Sequence, residues 1–147
     1  MRPLRKAVLF SLLLGASCAA GAADFTFNIP LRIENVPSVV SVAIECAVSR
    51  LRVGEPYPFG GTNVVGRGST VVHPVGGRYN GTVRVVVNAT GINPAASAQS
   101  YLCSMRASGR ATTGAAYAAS SGNMKEVYER ATGHVLDRHV TKVHDNF

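Results

Sequence analysis

The sequence predicts an all-β protein, an antiparallel β-sandwich built as one domain, and three observations predict it. Apolar and polar residues alternate with a period of two over several separate stretches, the pattern of strands that bury one face. Glycine (15 residues) and proline (7 residues) cluster between those stretches and mark turns. Hydrophobic residues make up 46% of the 147-residue chain and charged residues only 16%, which excludes a disordered chain and suits one hydrophobic core.

The leading segment has a different character. Arg2, Arg5 and Lys6 form a basic start, Ala7 to Leu14 is apolar apart from Ser11, and Gly15 to Ala23 is rich in small residues. This is the layout of a secretory signal peptide over 1–23, with Gly21-Ala22-Ala23 as the cleavage pattern and export to the periplasm or the cell exterior as its consequence. An alternative is lipid attachment at Cys18 after Gly15-Ala16-Ser17; the simpler reading is that Cys18 leaves with the signal. No later stretch reaches the roughly 18 apolar residues that a membrane helix needs. Because 1–23 holds three basic residues and no acidic one, the formal charge falls from +7 to +4 on its removal. The remaining arginines are scattered singly, which argues against a nucleic-acid partner.

Residues 24–147 are read as the sandwich itself. Phe25, Phe27, Ile29, Leu31 and Ile33 alternate with polar residues, giving a first strand; Pro30 falls on the outward set and places it at a sheet edge or a bulge. Val40, Val42, Ile44, Cys46 and Val48 give a second strand with Cys46 inward and Glu45 outward. The stretch 54–70 is rich in Gly and Pro and reads as irregular loop with one short strand near Thr62–Val65, followed by a broken edge around Pro74. Tyr79 to Ala89 is the next clear strand, and Tyr101, Cys103, Met105 and Ala107 form the inward set of another. Residues 108–123 are small and polar and read as a mobile loop, and Lys125 to Val143 as a hairpin turning near Thr132-Gly133.

With Cys18 removed, Cys46 and Cys103 remain as an even pair in a chain sent to an oxidising compartment, and they are expected to form a disulfide. No Cys-x-x-Cys spacing is present, so the pair reads as structural and not redox-active. Two inward cysteines about half a domain apart, with Tyr101 two residues before the second, resemble an immunoglobulin-like sandwich over residues 25–107. The resemblance implies an inter-sheet disulfide between Cys46 and Cys103, with Tyr101 as the corner tyrosine. The chain departs from that family in having no Trp and in carrying Ser97 where an acidic residue usually precedes the corner tyrosine.

Catalytic patterns are weak. Gly66-Arg67-Gly68-Ser69-Thr70 approaches a nucleophile elbow but lacks the closing glycine, and the carboxylates are isolated from one another. The polar tail carries His134, His139 and His144, a candidate set of copper or zinc ligands, although His139 falls on the opposite face of a strand from the other two. The sequence therefore points to a non-enzymatic exported module without a cofactor. Such a module would present the loops 54–70 and 108–123 to a protein or glycan partner. Two alternatives accompany it: a fimbrial-type subunit that donates Phe25–Ile33 to a neighbour's sheet, and a periplasmic metal-binding protein using the tail histidines.

Overall fold

Strand β1 (Phe25–Ile33) forms where the alternation is strictest: its odd positions are half-buried and its even positions exposed. The structure, a computed structural model, describes residues 23–90, 92–120, 122–134 and 142–147. Residues 1–22 of the expected signal peptide therefore lie outside the described residues, as do 135–141 of the expected tail hairpin. β1 pairs antiparallel with β4 (Tyr79–Ala89) in a continuous register from Phe25 opposite Val87 to Ile33 opposite Tyr79. The Asp24 carboxylate accepts a 2.7 Å hydrogen bond from the Ala89 N–H and closes the end of this ladder. The carbonyls of the even β4 residues turn toward β3, so the odd ones serve β1, and the even residues of β1 face its free edge. Pro30 is one of them, so its missing N–H costs the ladder nothing and interrupts the row of donors that a further strand would use.

The order of the sheet is β1-β4-β3-β2-β5, with β2 (Val39–Ser49), β3 (Val64–Val72) and β5 (Ser100–Arg110) as its second half. β6 (Ala116–Ser120) pairs with the 106–110 end of β5 and β7 (Lys142–Asn146) with the 100–104 end, so the two short strands share one edge. The sheet curls on itself because β4 passes close over β3. A Cβ on Gly68 would lie 2.0 Å from the Val86 carbonyl oxygen, and one on Gly66 would lie 2.2 Å from that of Asn88. At the next alternate position the Thr70 hydroxyl donates a 2.7 Å hydrogen bond to the Arg84 carbonyl. At Gly66 and Gly68 the inner face of β3 is thus bare of side chains, and the β4 backbone occupies the space.

The curl encloses Val42, Ile44 and Val48 of β2 with Val83, Val85 and Val87 of β4, all nearly sealed from water. Aromatic rings close the side between β1 and β5: Phe27 lies 5.1 Å from Tyr101, and Phe147 lies 5.7 Å from Phe25 and 5.5 Å from Tyr101. Cys46 and Cys103 form the expected disulfide, but they are direct partners on adjacent strands β2 and β5, with Cα atoms 4.1 Å apart. The expectation of an inter-sheet disulfide is corrected: the bond staples two neighbours in one sheet, unlike the immunoglobulin-like arrangement. Alternation fixes the face on which each cysteine sits, and it does not fix which strands are neighbours. Closing a separation of 57 residues is worth about 4 kcal/mol on a chain-entropy argument.

Three stretches differ from the sequence expectation. The Gly-rich region 64–72 is a nine-residue strand, because its glycines serve the β4 crossing. The expected loop over 108–123 is largely a hairpin: Ala111 N–H bonds the Ala115 carbonyl at 2.8 Å, Ala119 is buried, and Tyr117 packs over Gly109 with its hydroxyl 3.3 Å from Ser38 Oγ. Burial holds the Tyr117 phenol above its ordinary pKa, and the bond with Ser38 opposes that shift. The start of the expected tail hairpin is a helix, α1 (Met124–Thr132), which buries Met124, Tyr128 and Thr132 at a spacing of four. Lys125 pairs with Glu129 and Glu126 with Arg130 on the wet side, and Gly133 ends the helix in the left-handed conformation (φ 72°).

Two substitutions test this packing. Gly68→Ala should lower the urea unfolding free energy by about 3 kcal/mol through overpacking against β4, while Gly122→Ala, with no neighbour within 4 Å, should change it by less than about 0.5 kcal/mol. The Tyr128 hydroxyl is buried without a hydrogen-bond partner among the described residues, so Tyr128→Phe should raise stability by about 1 kcal/mol, whereas Tyr128→Ala should lower it by about 3 kcal/mol.

Candidate functional site

Between β2 and β3 the chain makes a long excursion over 50–63 that contributes nothing to the core yet is held at every turn. Its base is the buried Ser49, whose hydroxyl donates to the Pro58 carbonyl and accepts the Leu51 N–H at 3.0 Å. The equally buried Ser100 on β5 donates to the Leu51 carbonyl at 2.5 Å. Asn63 receives the Arg50 guanidinium at 3.3 Å and donates to the Tyr57 carbonyl at 3.4 Å, and Val53 N–H reaches the Asn146 side chain at 2.9 Å. Farther out, Glu55 accepts the Arg52 N–H, and Gly60 N–H bonds the Tyr57 carbonyl at 3.1 Å. Some of these bonds close local turns and others tie the loop to β5 and β7, so the loop has one shape without needing apolar burial.

The tip of this loop is Tyr57. Its ring is 85% exposed and its backbone is left-handed (φ 52°), a conformation that a bulky side chain rarely adopts. Holding it there costs of order 1–3 kcal/mol, which the surrounding hydrogen bonds offset. An exposed tyrosine fixed by a rigid loop is the kind of group that binding surfaces use, because a large amphipathic ring is presented with little entropy left to lose.

Two residues on, Phe59 folds back over the outer face of β2, β3 and β5, where its carbonyl accepts a 2.8 Å hydrogen bond from Arg67 Nη2. Between Phe59 and the sheet lies an open cleft of about 480 Å³, lined also by Glu45, Arg67, Ser69, Leu102 and Ser104. The register explains this set. Glu45 stands opposite both Ser69 and Ser104, and Ala47 opposite both Arg67 and Leu102, so two rows cross the three strands. Glu45 and Arg67 are diagonal neighbours of opposite charge, yet the guanidinium is turned to the loop carbonyl. Glu45 is left without a hydrogen-bonding or ionic partner among the described residues.

The residues singled out in the sequence fall elsewhere. Cys46 and Cys103 are 2% and 5% exposed, and Tyr101 packs on Phe27 and Phe147. His134 lies at the surface beside Asn35, Gly76 and Arg78, His144 takes the β7 position opposite Leu102, and His139 lies outside the described residues. Among the described residues no three His, Cys, Asp or Glu side chains converge on a common point. Ser69, the centre of the elbow-like motif, sits mid-strand in β3 and not at a strand-to-helix turn. The 54–70 region was recognisable as loop-rich, but the order of 50–63 was not; Pro56 and Pro58 on either side of Tyr57 are the one sequence sign of a stiff tip.

Compared with protein families, with characterised proteins and with solved structures, the chain matches none. If Tyr57 is displayed and not structural, Tyr57→Gly, which suits the left-handed backbone, should leave the urea midpoint unchanged or raised; a loss above about 1 kcal/mol would assign the ring a packing role.

Proposed function

We propose that this chain is a non-enzymatic exported β-sheet module that binds a protein or glycan partner through the 54–60 loop and the adjoining outer face of β2, β3 and β5. The observation that carries the reading is Tyr57: a fully displayed aromatic ring on a strained backbone, held by a loop whose hydrogen bonds serve no core. Strain kept at an exposed position is a cost to stability, and a binding role accounts for its persistence. The cleft beside it adds Glu45, Ser69 and Ser104, without side-chain hydrogen-bond partners among the described residues, at a concave surface that also offers the apolar Phe59 and Leu102. Export rests on the basic and apolar start of the sequence and agrees with the disulfide. The module reading is preferred to strand donation because Phe25–Ile33 is already paired along its whole length with β4 of its own chain.

Site-specific photo-crosslinking tests the proposal. A benzophenone amino acid at position 57 in cells of the source organism should give discrete adducts. The same residue at the exposed Thr82, on β4, should not. No adduct at position 57, or the same adducts at both positions, would remove the 54–60 loop as the binding surface.

A further inference from the structure

We infer that the cleft formed by Phe59 and the outer face of β2, β3 and β5 receives a short neutral saccharide. The inference rests on the binding-module reading and narrows it to one ligand class. Its first ground is the chemistry of the lining. Glu45 offers a carboxylate with no partner among the described residues, Ser69 and Ser104 flank it with hydroxyls that both donate and accept, and Arg67 adds a guanidinium already oriented by the loop. A ligand that satisfies this set must carry several hydroxyl groups close together, able to donate to the carboxylate and accept from the guanidinium. Phe59 and Leu102 supply the apolar part of the same wall, which suits the C–H face of a sugar ring.

The second ground is position. The cleft lies on the face of the sheet and not at an edge, so the strand N–H and C=O groups beneath it are already engaged in the β2–β3 and β2–β5 ladders. An extended peptide that binds by strand addition needs a free edge, and there is none under Glu45. The third ground is size. A cleft of about 480 Å³ lies within the range of small-molecule pockets. A folded partner would instead need a contact of roughly 800 Å² on each side. Glu45 and Arg67 place one charged acceptor and one charged donor in the same lining, a pair that suits a ligand whose hydroxyls play both roles and which carries no charge of its own.

The full exported chain should be titrated by calorimetry and by amide NMR with cellotriose, maltotriose and tri-N-acetylchitotriose at concentrations up to about 10 mM, where millimolar binding is visible. The inference expects saturable binding of at least one of them, with shifts centred on Glu45, Ser69 and Ser104. Glu45→Gln and Ser104→Ala should each leave the fold intact and weaken binding, the former by about tenfold because a charge-assisted bond is lost. Absence of saturation with all three sugars, or binding unaffected by both substitutions, overturns it. Adducts at position 57 without sugar binding would overturn the saccharide and keep the module; loss of both would overturn the two together.

Discussion

Where β4 crosses β3, the carbonyl oxygens of Val86 and Asn88 occupy the space that side chains at positions 68 and 66 would fill. That contact bends the sheet. With β4 lying over the inner face of β3, its valines at 83, 85 and 87 meet Val42, Ile44 and Val48 of β2, and β1 is carried along as the partner of β4. The rings of Phe25 and Phe27 then reach Phe147 and Tyr101, which closes the remaining side. The close packing of β4 on β3 at this crossing depends on one steric permission granted by two glycines.

The same bend decides which surface stays open. Because the inner faces of β2, β3 and β5 are spent on the core, their outer faces are free to carry Glu45, Arg67, Ser69 and Ser104. The disulfide contributes from below: Cys46 and Cys103 join β2 to β5 immediately beneath the row that bears Glu45 and Ser104, holding the floor of the cleft at a fixed spacing. The buried core and the open cleft thus lie on opposite sides of the same three strands.

β1, β2 and β4 were legible in the sequence because each buries one face and wets the other, so that Phe25–Ile33 and Tyr79–Ala89 announce themselves by alternation. β3 was not, since the inner residues Gly66 and Gly68 are absent side chains and leave the pattern blank where the packing is tightest. The helix does not show in an alternating pattern over Lys125–Val143, because Met124, Tyr128 and Thr132 repeat every four, and Gly133, which would suit a hairpin turn equally well, caps the helix. The disulfide pair could be read from cysteine count, but strand adjacency depends on the whole topology. Of the candidate site, Glu45 could be placed outward and 54–70 recognised as loop. The order in the loop comes from Ser49, Asn63 and Ser100, polar contacts between residues distant in sequence that no periodicity encodes.

Those anchors sit at the foot of the excursion, in the ends of β2 and β5 and at the entry to β3, whereas Pro56 and Tyr57 at its tip stand in water. The bonds that reach the tip are made to its backbone carbonyls and not to its side chains. Its residues are accordingly free to diversify, by natural drift or by deliberate grafting of a foreign recognition sequence, while the framework that displays them is inherited unchanged.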